Sequence, residues 1–237
     1  MAARLPERIG NASLLVVMAI TLSATVGCTK GPVVPSGSSQ VRTGVTPLMD
    51  AASAGKLSTV EELLQSGTPV NAADSEGMTA LHYAAAERDL KVLQALLRAG
   101  ADVNARTKSN GTPLMSSVGS PYSTEGVALA LINAGADVNI ADSNGETALW
   151  IATEESSDQV VEALLKKGAN PNVRAYGGNT PLHMAAMNGL VGRVSLLLKY
   201  GANPATRNDA GQTPLDIANP KWPEVARLLR EQTQNGK

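Results

Sequence analysis

Two histidines and one pair of adjacent glutamates are the residues closest in type to acid–base or metal chemistry. His82 and His183 are the only histidines. Each occupies the third helical position after a threonine, where a side chain can bond back to the residue that begins the helix. Glu154 and Glu155 are neighbours in sequence, so they face different directions on a helix and do not form a carboxylate pair. We therefore predict structural histidines, no catalytic residue, and no metal or cofactor.

The motifs of common catalytic sites do not occur in the sequence. It contains no Gly-x-Ser-x-Gly turn, no His-Glu-x-x-His helix and no phosphate-binding loop. Basic and acidic residues number 20 and 21, so the chain lacks the positive excess typical of nucleic-acid binders. These features predict a protein that is not an enzyme and does not bind nucleic acid.

One short segment recurs along the chain and determines its organisation. A Thr-Pro-Leu or Thr-Ala-Leu segment repeats every 33 residues, or 35 in one case, beginning at Thr46, Thr79, Thr112, Thr147, Thr180 and Thr213. Threonine before proline or alanine is typical of a helix N-cap and its first helical residue. A second helix with a pair of large aliphatic residues follows, and in the first five units a glycine ends it. Such a period indicates a solenoid, in which each unit buries its apolar face against its neighbours.

The repeated unit resembles the ankyrin repeat. Its Gly-x-Thr-Pro-Leu-His, Leu-Leu and Gly-Ala-Asp-Val-Asn signatures appear nearly verbatim from residue 44 to about residue 230. The resemblance implies an all-α solenoid of about six helix-turn-helix repeats with projecting β-turn or hairpin loops. It also implies that another protein binds to the concave surface, which the turn tips and the exposed side of the first helices form.

The resemblance places the candidate binding residues on this surface, position by position. Tyr176, Met187, Trp150 and Tyr122, which lies in an inserted loop, are predicted to supply contact energy, because aromatic residues are enriched among binding anchors. Trp150 replaces the histidine of its motif, and it is either a core residue or a partly exposed anchor. Two glutamates at the end of one first helix are predicted to set the charge of the partner. These and the remaining candidates are Glu76, Met78, Glu87, Lys108, Glu146, Glu154, Glu155, Asn179, Asn188, Asp209 and Gln212.

The beginning of the chain has the pattern of a secretion signal. A positively charged start precedes an apolar run at 14–22, and small residues then lead to Cys28. The segment Thr-Val-Gly-Cys at 25–28 resembles the lipobox of bacterial lipoproteins, which implies cleavage before Cys28 and lipidation of its side chain. A membrane-spanning anchor is the alternative, because no charged residue occurs at 9–29.

The sequence therefore predicts four segments and a location. They are a signal peptide (1–27), a lipidated cysteine with a flexible linker (28–43), a repeat domain (44–230) and a tail (231–237). We expect a monomeric protein-binding module of the bacterial cell envelope, lipid-anchored at the periplasmic face of the outer membrane. It would act as a scaffold or a modulator. The alternatives are an immunity-type neutraliser of a periplasmic toxin and a support protein for an envelope stress-defence enzyme.

Overall fold

The fold is seen in a computed structural model, which describes residues 43–119 and 125–235. The predicted signal peptide, Cys28, nearly all of the linker and Tyr122 lie outside the described residues. Twelve α-helices occupy the described ranges, and these ranges contain no β-strand, only two isolated β-bridges. The helices form six consecutive pairs: α1 (Pro47–Ser53) with α2 (Leu57–Gln65), α3 (Ala80–Glu87) with α4 (Leu90–Arg98), α5 (Pro113–Val118) with α6 (Glu125–Asn133), α7 (Ala148–Glu155) with α8 (Asp158–Lys166), α9 (Pro181–Met187) with α10 (Val191–Lys199), and α11 (Pro214–Ile217) with α12 (Pro223–Asn235).

A threonine begins the first helix of every pair, as the sequence predicts. Thr180 has an extended backbone, and its hydroxyl accepts a hydrogen bond from the backbone N–H three residues later. Thr112 and Thr147 cap α5 and α7 in the same way. These bonds satisfy an N–H group that has no partner within the helix, which explains why the helices start at these positions.

A glycine follows the second helix of each of the first five pairs. Gly168 has φ +86°, and the residue after it donates its backbone N–H to the carbonyl of Leu164 at 3.0 Å. A Cβ atom at this glycine would meet nothing within 4 Å. The left-handed backbone conformation, and not lack of space, is therefore what favours glycine here.

The core extends along the stack from one pair to the next. First helices pack on first helices and second helices on second helices along the whole array. The leucine of each Thr-x-Leu segment is fully buried from Leu48 to Leu182, and Val92, Leu131 and Leu164 of the second helices are buried as well. Alanines on the first helices allow their close approach, for example at Ala84 and Ala185. Most of the large apolar side chains are thus used to hold neighbouring repeats together.

A row of asparagines joins the loops between consecutive repeats. The side-chain oxygens of Asn71, Asn104, Asn139 and Asn172 each accept a backbone N–H of the next repeat at 2.8 Å. Asn139 and Asn172 also donate to the carbonyl of the glycine that ends the next second helix, at 3.0 Å in both cases. The asparagine of the Ala-Asp-Val-Asn segment is therefore a structural link. No helix within the described ranges has the length and apolar character needed to cross a bilayer.

Candidate protein-binding surface

Five turns, here called fingers, project between consecutive helix pairs. They comprise residues 74–78, 107–111, 142–146, 175–179 and 208–212, and a backbone hydrogen bond of 2.9–3.0 Å closes each one. Asp142 stabilises its finger, because its carboxylate accepts the N–H groups of Asn144 and Glu146 at 2.8 and 2.9 Å. Ala175 stands at the equivalent position of the fourth finger and has no such acceptor. That finger instead forms a short 3-10 turn, in which Gly177 and Gly178 have positive φ angles.

Backbone hydrogen bonds join most neighbouring fingers to one another. Lys108 donates its N–H to Glu76, Ser143 donates to Ser109, and Asp209 donates to Gly177, each at 2.8 Å. Within the described chain, the third and fourth fingers are the pair without such a bond. The regular lateral ladder is thus interrupted between 142–146 and 175–179.

The structure places the candidate binding residues in three environments. Eight are exposed: Glu76, Glu87, Lys108, Glu154, Tyr176, Asn188, Asp209 and Gln212. Three are partly exposed: Glu155, Asn179 and Met187. Three are buried: Met78, Glu146 and Trp150. The remaining candidate, Tyr122, lies outside the described residues.

The expectation that Met78 and Glu146 project from their turns is wrong. Met78 is 3% exposed and Glu146 is 4% exposed. Both directly precede the threonine that begins the next helix, and there the chain turns back from the finger toward the stack. Met78 belongs to the apolar core. Glu146 occupies the equivalent position of its own finger and is buried although its side chain is an acid.

The two histidines have the hydrogen bonds of structural residues. The Nδ1 atom of His82 accepts the backbone N–H of Thr79 at 3.1 Å, and its Nε2 bonds the carbonyl of Gly111 at 3.3 Å. His183 is bonded in the same way to Thr180 and Gln212. Burial lowers the pKa of His82 to about 4, so the ring is neutral at pH 7. Each histidine therefore ties the start of its helix to the next finger.

Trp150 occupies the same helical position in the fourth repeat but is bonded differently. It is 4% exposed, and its indole N–H has no hydrogen-bond acceptor in the described part of the chain. Its ring instead contacts the ring of Tyr176 edge-on, with centroids 6.0 Å apart at an interplanar angle of 63°. The alternative of Trp150 as a core residue agrees with its burial, while Tyr176 remains 37% exposed at the surface above it.

Two acidic side chains, those of Glu146 and Asp142, lie close enough to the Tyr176 ring to act on it electrostatically. Burial, with smaller contributions from the nearby charges of Asp142 and Glu154, raises the pKa of Glu146 to about 7. Burial also raises the pKa of Tyr176, with smaller contributions from Glu146 and Asp142. We call Glu146, Trp150, Glu154 and Tyr176 the Trp150 cluster. It combines an exposed aromatic ring with two carboxyl groups that form no ion pair within the described residues, although the charge of Arg193 acts on Glu154.

Arg193 on α10 fixes the end of the helix that carries this cluster. Its guanidinium donates to the backbone carbonyls of Thr153, Glu154 and Ser156, and it forms an ion pair with Asp158 at 3.3 Å. These bonds satisfy carbonyls at the C-terminal end of α7 and hold Glu154 in place. Sequence reasoning missed Arg193, because its main partners are backbone carbonyls that leave no trace in the side-chain pattern.

The stacked helix pairs and the projecting fingers define a solenoid-type binding protein. Family profiles for ankyrin repeats match residues 25–107 and 100–175 (three copies) and residues 164–218 (many copies). The chain therefore belongs to the ankyrin repeat family. Proteins of this family are generally interaction modules and not enzymes. Within the described ranges, no group of three or more His, Cys, Asp or Glu residues could hold a metal ion.

Solved structures include similar proteins. One is the ankyrin repeat domain of Bcl-3, described as a unique member of the IkappaB protein family. It is 29% identical, with a TM-score of 0.62 over 79% of this chain and 99% of that one. Another is the ankyrin repeat protein EF0377, which is 27% identical, with a TM-score of 0.70 over 78% of this chain and 96% of that one. A comparison with curated protein sequences gives no match.

Proposed function

We propose that this chain is a lipid-anchored protein of the bacterial cell envelope that binds a partner protein through its concave surface. The observation that carries this proposal is the Trp150 cluster, in which Tyr176 stays exposed although Trp150 beneath it is buried. Exposed aromatic rings supported by packed neighbours are typical of binding anchors. Met187, at the end of the next first helix, is partly exposed and extends this surface.

The anchor proposal depends on the first residues of the chain. Cys28 follows a signal-like segment and precedes a linker rich in glycine, proline and serine. Such a linker would let the repeat stack move near the membrane while remaining attached to it. The chain would act as a monomer at the periplasmic face of the outer membrane.

Crosslinking in intact cells tests the binding surface. The tagged full chain is compared with a Tyr176→Ala/Met187→Ala variant and with a Gln94→Ala/Gln159→Ala control, which changes exposed residues of the second helices. We expect the first variant to lose the captured partner and the control to retain it, with melting temperatures close to that of the unchanged chain. Equal capture by all three proteins would contradict the proposed surface.

The anchor is tested separately. Cells are labelled with a palmitate analogue, and the unchanged chain is compared with Cys28→Ser. We expect label and membrane association in the unchanged chain only. A labelled Cys28→Ser variant would refute lipidation at this residue. The identity of the captured partner then separates a scaffold from a neutraliser, because a toxin and an envelope enzyme are distinguished by sequence.

A further inference from the structure

The Glu146 carboxyl group lacks the partners that a buried acid normally has. The residue is 4% exposed, and within the described residues its carboxyl group takes part in no hydrogen bond or ion pair. Unlike the indole nitrogen of Trp150, its oxygen atoms are not fully enclosed. Asp142 and Glu154 lie near enough to disfavour its negative charge further. A carboxyl group that is largely withdrawn from water without donors or a counter-charge is unfavourable in its charged form, so a partner that supplies a donor and a positive charge would stabilise it.

The neighbouring arginines do not neutralise this group, because they are engaged elsewhere. Arg193 bonds the end of α7 and Asp158. Arg174 donates to the carbonyl of Arg207 and forms an ion pair with Asp209 at 2.8 Å. The site therefore has excess negative charge, and a positively charged group from another molecule would complement it.

The exposed aromatic ring of the Trp150 cluster indicates which positively charged group would fit best. The ring of Tyr176 is 37% exposed and is supported from behind by Trp150. A guanidinium group is planar, stacks on aromatic rings and binds carboxylates through two parallel hydrogen bonds. An ammonium group is more strongly hydrated and offers no planar face. Ring and carboxylates together favour arginine over lysine.

We propose that the Trp150 cluster receives an arginine side chain of the partner, which stacks on Tyr176 and pairs with Glu146. This inference rests on the proposed function, since the arginine belongs to the bound protein. It explains why the Glu146 carboxyl group has no donor within the described chain, and why Trp150, which supports the Tyr176 ring, stands where two other repeats have a bonded histidine. In the complex, the arginine supplies the missing counter-charge.

The proposal predicts a dependence on pH. Glu146 has a pKa of about 7 in the free chain, so it is mostly protonated at pH 6 and mostly ionised at pH 8. The charges that act on it are those of Asp142 and Glu154. Glu155 and Arg193 act in turn on Glu154, and Glu146 acts on Tyr176. Arginine pairs with the ionised form. Its affinity should therefore be about tenfold weaker at pH 6 than at pH 8.

The test follows the indole N–H resonance of Trp150 in the 15N-labelled full chain. The protein has two tryptophans, and a Trp222→Phe variant assigns the two signals. The probe is N-acetyl-arginine methylamide, titrated to about 50 mM because a single side chain binds weakly. We expect a saturable shift at pH 8. The corresponding citrulline and lysine compounds should produce a much smaller shift.

Two variants give the controls. Glu146→Gln should lose the response to arginine, whereas Glu61→Gln on α2 should keep it. Loss of fold does not explain the first result if Glu146→Gln melts at a higher temperature than the unchanged chain at pH 8.5. That increase is expected, because a raised pKa stabilises the folded chain at low pH only, and the contribution is lost as pH rises through 7.

Three outcomes would overturn the proposal: no saturable shift with arginine, an equal shift with lysine or citrulline, or an unchanged shift in Glu146→Gln. None of them bears on whether the chain captures a partner, which the crosslinking experiment measures independently. If capture depends on Tyr176 and arginine does not bind, the surface is right and the partner chemistry is wrong. If arginine binds and capture fails, the proposed function is wrong.

Discussion

Replacing Trp150 by histidine tests whether this helix position can still serve the structural role that histidine has in two other repeats. At the same position His82 and His183 bond a carbonyl 29 residues further along the chain. In a Trp150→His variant the corresponding acceptor is the carbonyl of Asn179. The imidazole Nδ1 would also accept the backbone N–H of Thr147, as Nδ1 does at Thr79 in the second repeat.

The expected change in stability is small because gains and losses are similar. The variant removes a buried N–H without an acceptor, which costs about 1–3 kcal/mol, and adds hydrogen bonds worth about 1 kcal/mol each. It loses the aromatic contact with Tyr176, about 0.5–1.5 kcal/mol. The smaller ring also buries less apolar surface, a loss of about 1–2 kcal/mol. The free energy of unfolding should therefore stay within about 1.5 kcal/mol of the unchanged chain.

Trp150→Ala is the matched comparison. It opens a cavity without restoring any hydrogen bond and should lose about 3–5 kcal/mol. Urea denaturation followed by circular dichroism measures all three proteins. The same Trp150→His variant should capture less partner, because Tyr176 loses its support. If Trp150→His lowers the free energy of unfolding as much as Trp150→Ala does, position 150 does not have the structural role of the two histidines.

Three further predictions concern the scaffold. The pKa of His82 is lowered from 6.5 to about 4 by burial, so its contribution to stability is complete above pH 6.5 and is lost as pH falls toward 4, a change of about 3 kcal/mol. Denaturation at pH 7.5 and pH 4 should show a smaller drop in His82→Gln than in the unchanged chain. Asn172→Ala removes two inter-repeat hydrogen bonds and should cost about 1–3 kcal/mol in a denaturation experiment. Gly168→Ala should cost about 1–2 kcal/mol for its left-handed backbone alone. Gly178→Ala should cost a similar amount, because its backbone is also left-handed and the ends of the Asp209 and Arg174 side chains that the added carbon meets are exposed and can move aside. A melting temperature far below that of Gly168→Ala would contradict this.

Features that depend on a few adjacent residues were predictable from the sequence. The threonine caps, the glycine ends and the helix pairs lie where the 33-residue period indicates. Which side chains of a finger are exposed was less predictable from the sequence. Glu76 and Met78 are two residues apart, yet one projects and the other is buried, because the chain bends between them. Arg193 was missed because its partners at 153–156 lie about 40 residues earlier in the chain.

Several irregular features of this array lie together at one junction between repeats. Ala175 replaces the acid that closes a finger, Trp150 replaces a bonded histidine, Glu146 is buried without a donor, and the ladder between fingers is broken between 142–146 and 175–179. In a linear array each interface contributes separately to stability, so neighbouring interfaces can compensate for one weak junction. Local departures from good packing that collect in one place are expected at functional sites. Their proximity to an exposed aromatic ring therefore makes this junction the best candidate for partner contact.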